Sequence, residues 1–194
     1  HYGREQNDAI DWPFRLRAVP FCSFHSNTAR DRPRRMADYG ASEYKPPLIW
    51  VSCRGDKLPK NALSGGDDRG GEVTYVGRAA YADEVIPGKI VPSTGFCYVS
   101  HAGAEHKFRD CQVLVSNGAP LAWLPASRGA VPSGAIQGGL TDNGEALYVG
   151  RARHNGMLIL GKVQRSHGCA WVPHDRQEHS YAEYEVLVLK TVNL

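Results

Sequence analysis

No run of about 18 apolar residues occurs anywhere in this 194-residue sequence, so it encodes no bilayer-spanning helix. It has no P-loop, no dinucleotide-binding glycine pattern and no nucleophile elbow, which removes the common sequence grounds for an enzyme. There is no Asn-x-Ser/Thr sequon. Cysteine is sparse: Cys22, Cys53, Cys97, Cys111 and Cys169 are odd in number and include no C-x-x-C pair. That pattern predicts reduced thiols in a cytoplasmic protein rather than a disulfide framework. Vesicle association, or release without a signal peptide, is a further expectation of location that the cysteines do not bear on. Charge of one sign is also missing from most of the chain. Residues 1–35 hold seven Arg and four acids, which leaves 16 basic against 16 acidic residues for all the rest. Phosphate recognition needs a basic excess, so no nucleic-acid partner is expected. An anionic membrane surface is disfavoured for the same reason.

What the sequence does have is a duplication. Residues 71–79 read G-E-V-T-Y-V-G-R-A and residues 144–152 read G-E-A-L-Y-V-G-R-A, an offset of 73. The offset holds without a gap, giving 24 identities over the 66 positions from 50 to 115. Trp50 falls on Trp123, Gly65-Gly66 on Gly138-Gly139, Lys89 on Lys162, His101 on His174, and Glu105-His106 on Glu178-His179. No cysteine repeats at an equivalent position, which argues further against disulfides or a structural zinc.

From residue 47 onward, short runs rich in Val, Ile, Tyr and Trp alternate with Gly, Pro, Asn and Asp clusters, the pattern of β-strands and turns. Leu48–Cys53, Val73–Ala79, Phe96–Ser100 and Cys111–Val115 are predicted strands, each with a copy 73 residues on. Asn143-Gly144 and its equivalent Gly70-Gly71 predict hairpins. No segment carries a sustained 3.6-residue period. The expected fold is therefore all-β, two tandem copies packed about a pseudo-twofold axis. The expected layout is an N-terminal leader at 1–46, a first copy at 47–116 and a second at 117–194. Residues 1–35, Arg-rich and without apolar period, are expected to be disordered or outside the native reading frame.

Repeated apolar residues need only a core to explain them, and Gly77/Gly150 suggests a bulge or close backbone approach. Repeated polar residues say more. Arg78/Arg151 and Glu105/Glu178 suggest guanidinium–carboxylate clamps. The H-x-x-x-E-H pattern at 101–106 and 174–179 departs from the spacing of zinc hydrolases, so no metal or other cofactor is expected. Lys89 in Pro-Gly-Lys and Lys162 in Leu-Gly-Lys are expected as exposed ammoniums at tight bends. Asp68 is expected nearby, in a Gly65-Gly66-Asp67-Asp68 turn. A carboxylate that only accepts, beside an ammonium that only donates, suits the vicinal hydroxyls of a sugar.

These spaced motifs, P-x-x-A-[LI]-x-G-G, G-E-x-x-Y-V-G-R-A, G-K, E-H and V-L-V, resemble the DM9 repeat family over about residues 50–192. The resemblance extends to the mannose-binding members of bivalve molluscs and the cytosolic members of insects. It implies a non-enzymatic, mannose-preferring lectin of innate immunity, often a homodimer, whose ligand is mannose or a mannose-containing glycan. By motif, the sugar-binding residues it implies are Asp68 and Lys89 in the first copy. Asp142 and Lys162 are the candidates in the second, where Thr141 replaces Asp68. Asp67, Glu105, Glu178, Arg78 and Arg151 are supporting candidates. Two other readings stand beside it: a protein- or vesicle-interaction module without sugar binding, and a metal-dependent enzyme using the repeated His-Glu-His set.

Overall fold

The computed structural model describes residues 46–190. The expectation for residues 1–35, and Cys22, lie outside that range. The first copy forms β1 (Leu48–Arg54), β2 (Ser64–Asp68), β3 (Glu72–Tyr81), β4 (Glu84–Val91), β5 (Phe96–His101), β6 (Ala104–Phe108) and β7 (Asp110–Ser116). The second repeats them in order as β8 (Leu121–Ser127), β9 (Gln137–Leu140), β10 (Ala146–His154), β11 (Met157–Gln164), β12 (Cys169–His174), β13 (Gln177–Tyr181) and β14 (Glu183–Leu189). A single 3-10 turn, Arg69–Gly71, joins β2 to β3. The described residues are all-β, as the alternation of apolar and turn residues predicts, and no helix among them is long and apolar enough to cross a membrane.

The strands form one antiparallel sheet in the order β1-β7-β3-β4-β5-β6-β13-β12-β11-β10-β14-β8. Replacing each strand by its copy reverses this order onto itself, which is a pseudo-twofold relation. The ladders agree residue by residue: Leu48 pairs with Ser116, and Leu121 with Leu189, both shifted by 73. The axis passes between β6 and β13. There Ala104 pairs with Gln177, its own equivalent 73 residues on. Glu105 N–H donates to Arg176 O, and Glu178 N–H donates to Gly103 O, at 3.2 and 3.1 Å.

Each copy has its own core, built on Ile86, Ile90, Val99 and Val113 in the first and on Ile159, Val163, Val172 and Val186 in the second. A third core lies between the copies. Val76/Val149 and Leu114/Leu187 form its centre, with Trp50/Trp123 and Leu63/Ile136 packed against it. Burying this shared surface completes units that are each near the lower size limit for independent stability. The repeated glycines serve the same interface. A Cβ on Gly66 would lie 2.2 Å from Leu158 O of the other copy, and one on Gly139 would lie 1.7 Å from Val85 O. Only a residue without a side chain lets the backbones meet this closely.

Three expectations are corrected. Pro87-Gly88-Lys89 and Leu160-Gly161-Lys162 are not turns; they lie inside β4 and β11. Lys89 and Lys162 are accordingly buried, at 2% and 5% exposure. Pro87 is tolerated in the strand because it pairs only with Arg78 of β3, while β5 begins its pairing with β4 at Gly88. Gly65-Gly66-Asp67-Asp68 is strand β2, not a turn. Gly77 causes no bulge either: its register runs unbroken through Gly77↔Gly88, and the Ile90 side chain fills the space a Cβ would take.

Candidate functional site

Asp68 ends β2, and its Oδ1 accepts the Arg69 N–H at 2.8 Å, capping the 3-10 turn that follows. Its Oδ2 lies 2.7 Å from Lys89 Nζ. The two residues are thus brought together, on strands separated by β3. Lys89 Nζ also stands 3.8 Å from Glu105 Oε1 and 5.6 Å from the Tyr98 ring centroid. Burying an ammonium is costly unless it is paired, and the two carboxylates compensate it. Burial opposes ionisation of Asp68, but the hydrogen bonds from Lys89 and from Arg69 N–H outweigh it and hold its carboxyl below the usual range.

The other copy completes the site across the axis. His174 Nδ1 is 3.8 Å from Asp68 Oδ1, and its Nε2 is 3.6 Å from Asp175 Oδ2. Asp175 pairs with Arg69. Asp175 and Arg176 form the β12–β13 turn with φ of 51° and 65°, a left-handed conformation that costs energy for residues with side chains. A cleft of about 410 Å³ opens here, lined by Tyr98, Glu105, Lys107, Asp175 and Arg176. Lys89 contacts two of these walls, Tyr98 and Glu105. Sequence reading by equivalent positions singles out His174 only within the H-x-x-x-E-H run, and misses both its place beside Asp68 and Asp175, because an offset identifies copies, not neighbours across an axis.

The second copy builds the corresponding arrangement with different parts. Lys162 Nζ donates to Ser100 O at 2.8 Å and lies 3.3 Å from Glu178 Oε1. Thr141, at the position of Asp68, turns its hydroxyl to Asn143 Oδ1 at 2.6 Å and accepts the Glu145 N–H. Asp142 is exposed and lines the same 320 Å³ pocket as Lys162, but among the described residues Lys162 is ion-paired with Glu178 rather than with Asp142.

The supporting candidates act differently from expectation. Arg78 and Arg151 do not clamp Glu105 and Glu178. Arg78 donates to Gln112 Oε1 and Gly138 O, and Arg151 to Glu185 Oε2 and Gly65 O. Each guanidinium also covers its own copy's tryptophan, Trp50 at 4.3 Å and Trp123 at 4.2 Å. Strand pairing explains the change: Arg78 lies opposite Gln112 on β7, far along the sheet from β6. Glu105 and Glu178 instead cap the opposite hairpins, accepting Arg176 N–H and Gly103 N–H. Asp67 Oδ1 accepts the Leu158 N–H at 2.6 Å, a contact between copies. The second histidine of each H-x-x-x-E-H run bonds the carbonyl of the first, His106 to His101 O and His179 to His174 O. No group of three or more metal-ligating side chains gathers among the described residues.

The sequence matches the family model of the DM9 repeat over residues 42–108 and 68–181. It is 30% identical over 95 residues to Natterin-3 of Thalassophryne nattereri, covering 48% of this chain and 24% of that protein. The chain thus spans about a quarter of the length of this curated relative. Its fold is similar to that of the nematode sperm cell motility protein MFP2B. The TM-score is 0.58 at 15% identity, over 84% of this chain and 54% of the other.

Proposed function

From the premise that the chain belongs to the DM9 repeat family, we propose that it is a non-enzymatic carbohydrate-binding protein, with mannose or a mannose-containing glycan at the first pocket. The observation that carries this reading is the Asp68–Lys89 pair at 2.7 Å beside a cleft walled by Tyr98, Glu105 and Asp175. Carboxylates there accept from sugar hydroxyls, while Arg176, Lys107 and backbone N–H groups donate. Tyr98 offers an aromatic ring to the C–H face of a pyranose. A small polar pocket gives weak affinity per site, so two pockets per chain, or a homodimer, would raise it by multivalency. Mannose-rich microbial glycans are the natural ligands this reading favours, in a role in innate recognition.

A glycan array probed with the intact chain and with Asp68→Ala tests this. Binding to mannosylated glycans that falls at least about tenfold in the variant, or about 1.4 kcal/mol, supports the proposal. No binding by the unsubstituted chain overturns it.

One observation favours an alternative, a protein-interaction module that has lost sugar binding. Lys89 is buried and its charge is already met by Asp68, so a ligand must compete with an existing ion pair. A protein partner that binds undiminished to the Asp68→Ala variant would support that alternative.

A further inference from the structure

The two pockets are equivalent in backbone and unlike in charge. Around the first cleft, Asp68, Glu105 and Asp175 are balanced by Lys89, Lys107 and Arg176. The second is lined by three carboxylates, Glu84, Asp142 and Glu178, by one ammonium, Lys162, and by two histidines, His101 and His167, with His101 Nε2 3.9 Å from Glu84 Oε2. The imbalance comes from substitutions under the 73-residue offset. Glu84 stands where the other copy has Met157. Gly103 stands where it has Arg176, which removes a cation from the rim.

Two further features point to a ligand. Glu178 Oε1 is buried, in a side chain 7% exposed, and among the described residues it meets the Lys162 ammonium at 3.3 Å without hydrogen-bond geometry. A pocket-lining carboxylate whose oxygen has an ion-pair contact but no hydrogen bond has capacity left for a donor. At the position of Tyr98 the second pocket has Trp171, whose Nε1–H donates to His167 Nδ1 at 3.1 Å. That bond fixes an indole, the strongest of the aromatic rings at attracting a cation, against the pocket. The volume, about 320 Å³, lies in the range of small-ligand sites.

We propose that the second pocket takes a pyranose bearing an ammonium group, a 2-amino-2-deoxyhexose, while the first takes a neutral sugar. This rests on the carbohydrate reading of the family fold. The amine donates to Glu178 Oε1 within a field set by Glu84 and Asp142, and the ring lies against Trp171. The chain would then bind two different sugars, one through each copy.

The test is calorimetric titration of the intact chain at low salt and about pH 6.5, where an amine is protonated. The probes are methyl 2-amino-2-deoxy-α-glucoside, its N-acetyl derivative and methyl α-mannoside. The amine is expected to bind about tenfold tighter than the acetamide, the size of one partly desolvated cation contact, with the advantage shrinking as salt is added. Asp142→Asn, at an exposed position, and Trp171→Leu each reduce amine binding and leave mannoside binding unchanged. Asp68→Asn does the reverse. Equal binding of amine and acetamide, or an amine advantage that vanishes with Asp68→Asn, overturns the proposal. Asp68-dependent mannoside binding with no amine advantage defeats the second pocket alone. No binding of any of the three sugars defeats the carbohydrate reading with it.

Discussion

Glu105 and Glu178 are equivalents under the pseudo-twofold axis, and each holds the other copy's hairpin. Glu105 Oε2 accepts Arg176 N–H at 2.9 Å, and Glu178 Oε2 accepts Gly103 N–H at 2.8 Å. The carboxylates also stand beside the buried lysines, but unequally. Lys89 keeps Asp68 if Glu105 is removed, whereas Lys162 loses the one carboxylate paired with it among the described residues if Glu178 is removed. Glu105→Ala should therefore cost about 1–3 kcal/mol of stability, and Glu178→Ala more. Urea unfolding measures both. An equal or reversed order would contradict the assignment of Lys162 to Glu178.

The repeated arginines differ in one partner. Arg151 bonds the carboxylate of Glu185, while Arg78 bonds the neutral amide of Gln112. Burial pushes the Arg78 pKa down to about 10. Giving Arg78 the carboxylate its copy already has, by Gln112→Glu, should stabilise the fold by about 1 kcal/mol. Arg78→Lys should destabilise it by a similar amount or more, since an ammonium lacks the planar fork that reaches Gly138 O and covers Trp50. A lower melting temperature for Gln112→Glu would show that the guanidinium does not use that position.

Close approach of the copies predicts intolerance at one glycine pair. Gly66→Ala and Gly139→Ala push a Cβ into Leu158 O and Val85 O, so each should cost about 1–3 kcal/mol and loosen the joint between copies. Hydrogen exchange should report the loss first in the core between copies, at Val76 and Val149. A stability within about 0.5 kcal/mol of the unsubstituted chain would mean the backbones are not in contact there.

Acid should weaken the fold through two histidines. Burial, with Lys89 next, holds His174 below its ordinary pKa even though Asp175 and Asp68 pull the other way. His154, its ring tilted against that of His174 at a centroid distance of 4.8 Å, is lowered by burial and by His179. The unfolded chain takes up these protons near pH 6.5, and the native state only at lower pH. Stability should therefore fall as pH drops from about 6.5 through the lower native values, then stop responding to these groups. Urea midpoints across that window should show a smaller slope in His174→Gln. Stability that rises on acidification through the same window would refute the assignment.

The strands and the duplication were legible because both rest on local pattern: alternation such as Cys111–Val115, and turn glycines such as Gly144, which adopts a φ of 86°. The proximity of Asp68 and Lys89 was legible from the family resemblance, although the two turns expected to bring them together are strands β2 and β4. The depth of Lys89 was not, because Pro-Gly normally signals a bend, whereas here Gly88 lets Tyr98 O of the next strand come within 2.0 Å of where a Cβ would sit. Nor was the partner of Glu105, because its contacts depend on which hairpin lies across the axis. Long-range register decides that, and a 73-residue offset carries no information about it. Gln112, a departure from its copy in sequence, became interpretable only once it lay beside Arg78.

The central claim is that a sugar enters the cleft where the two copies meet at Asp68 and Lys89. Backbone amide shifts of the isotope-labelled chain, followed during a titration with methyl α-mannoside, test it most directly. The account predicts saturable shifts in both copies at once, at Asp68 and Tyr98 from the first and at Asp175 and Arg176 from the second, absent in Asp68→Asn. Shifts confined to one copy away from that cleft, or none at millimolar sugar, would contradict it.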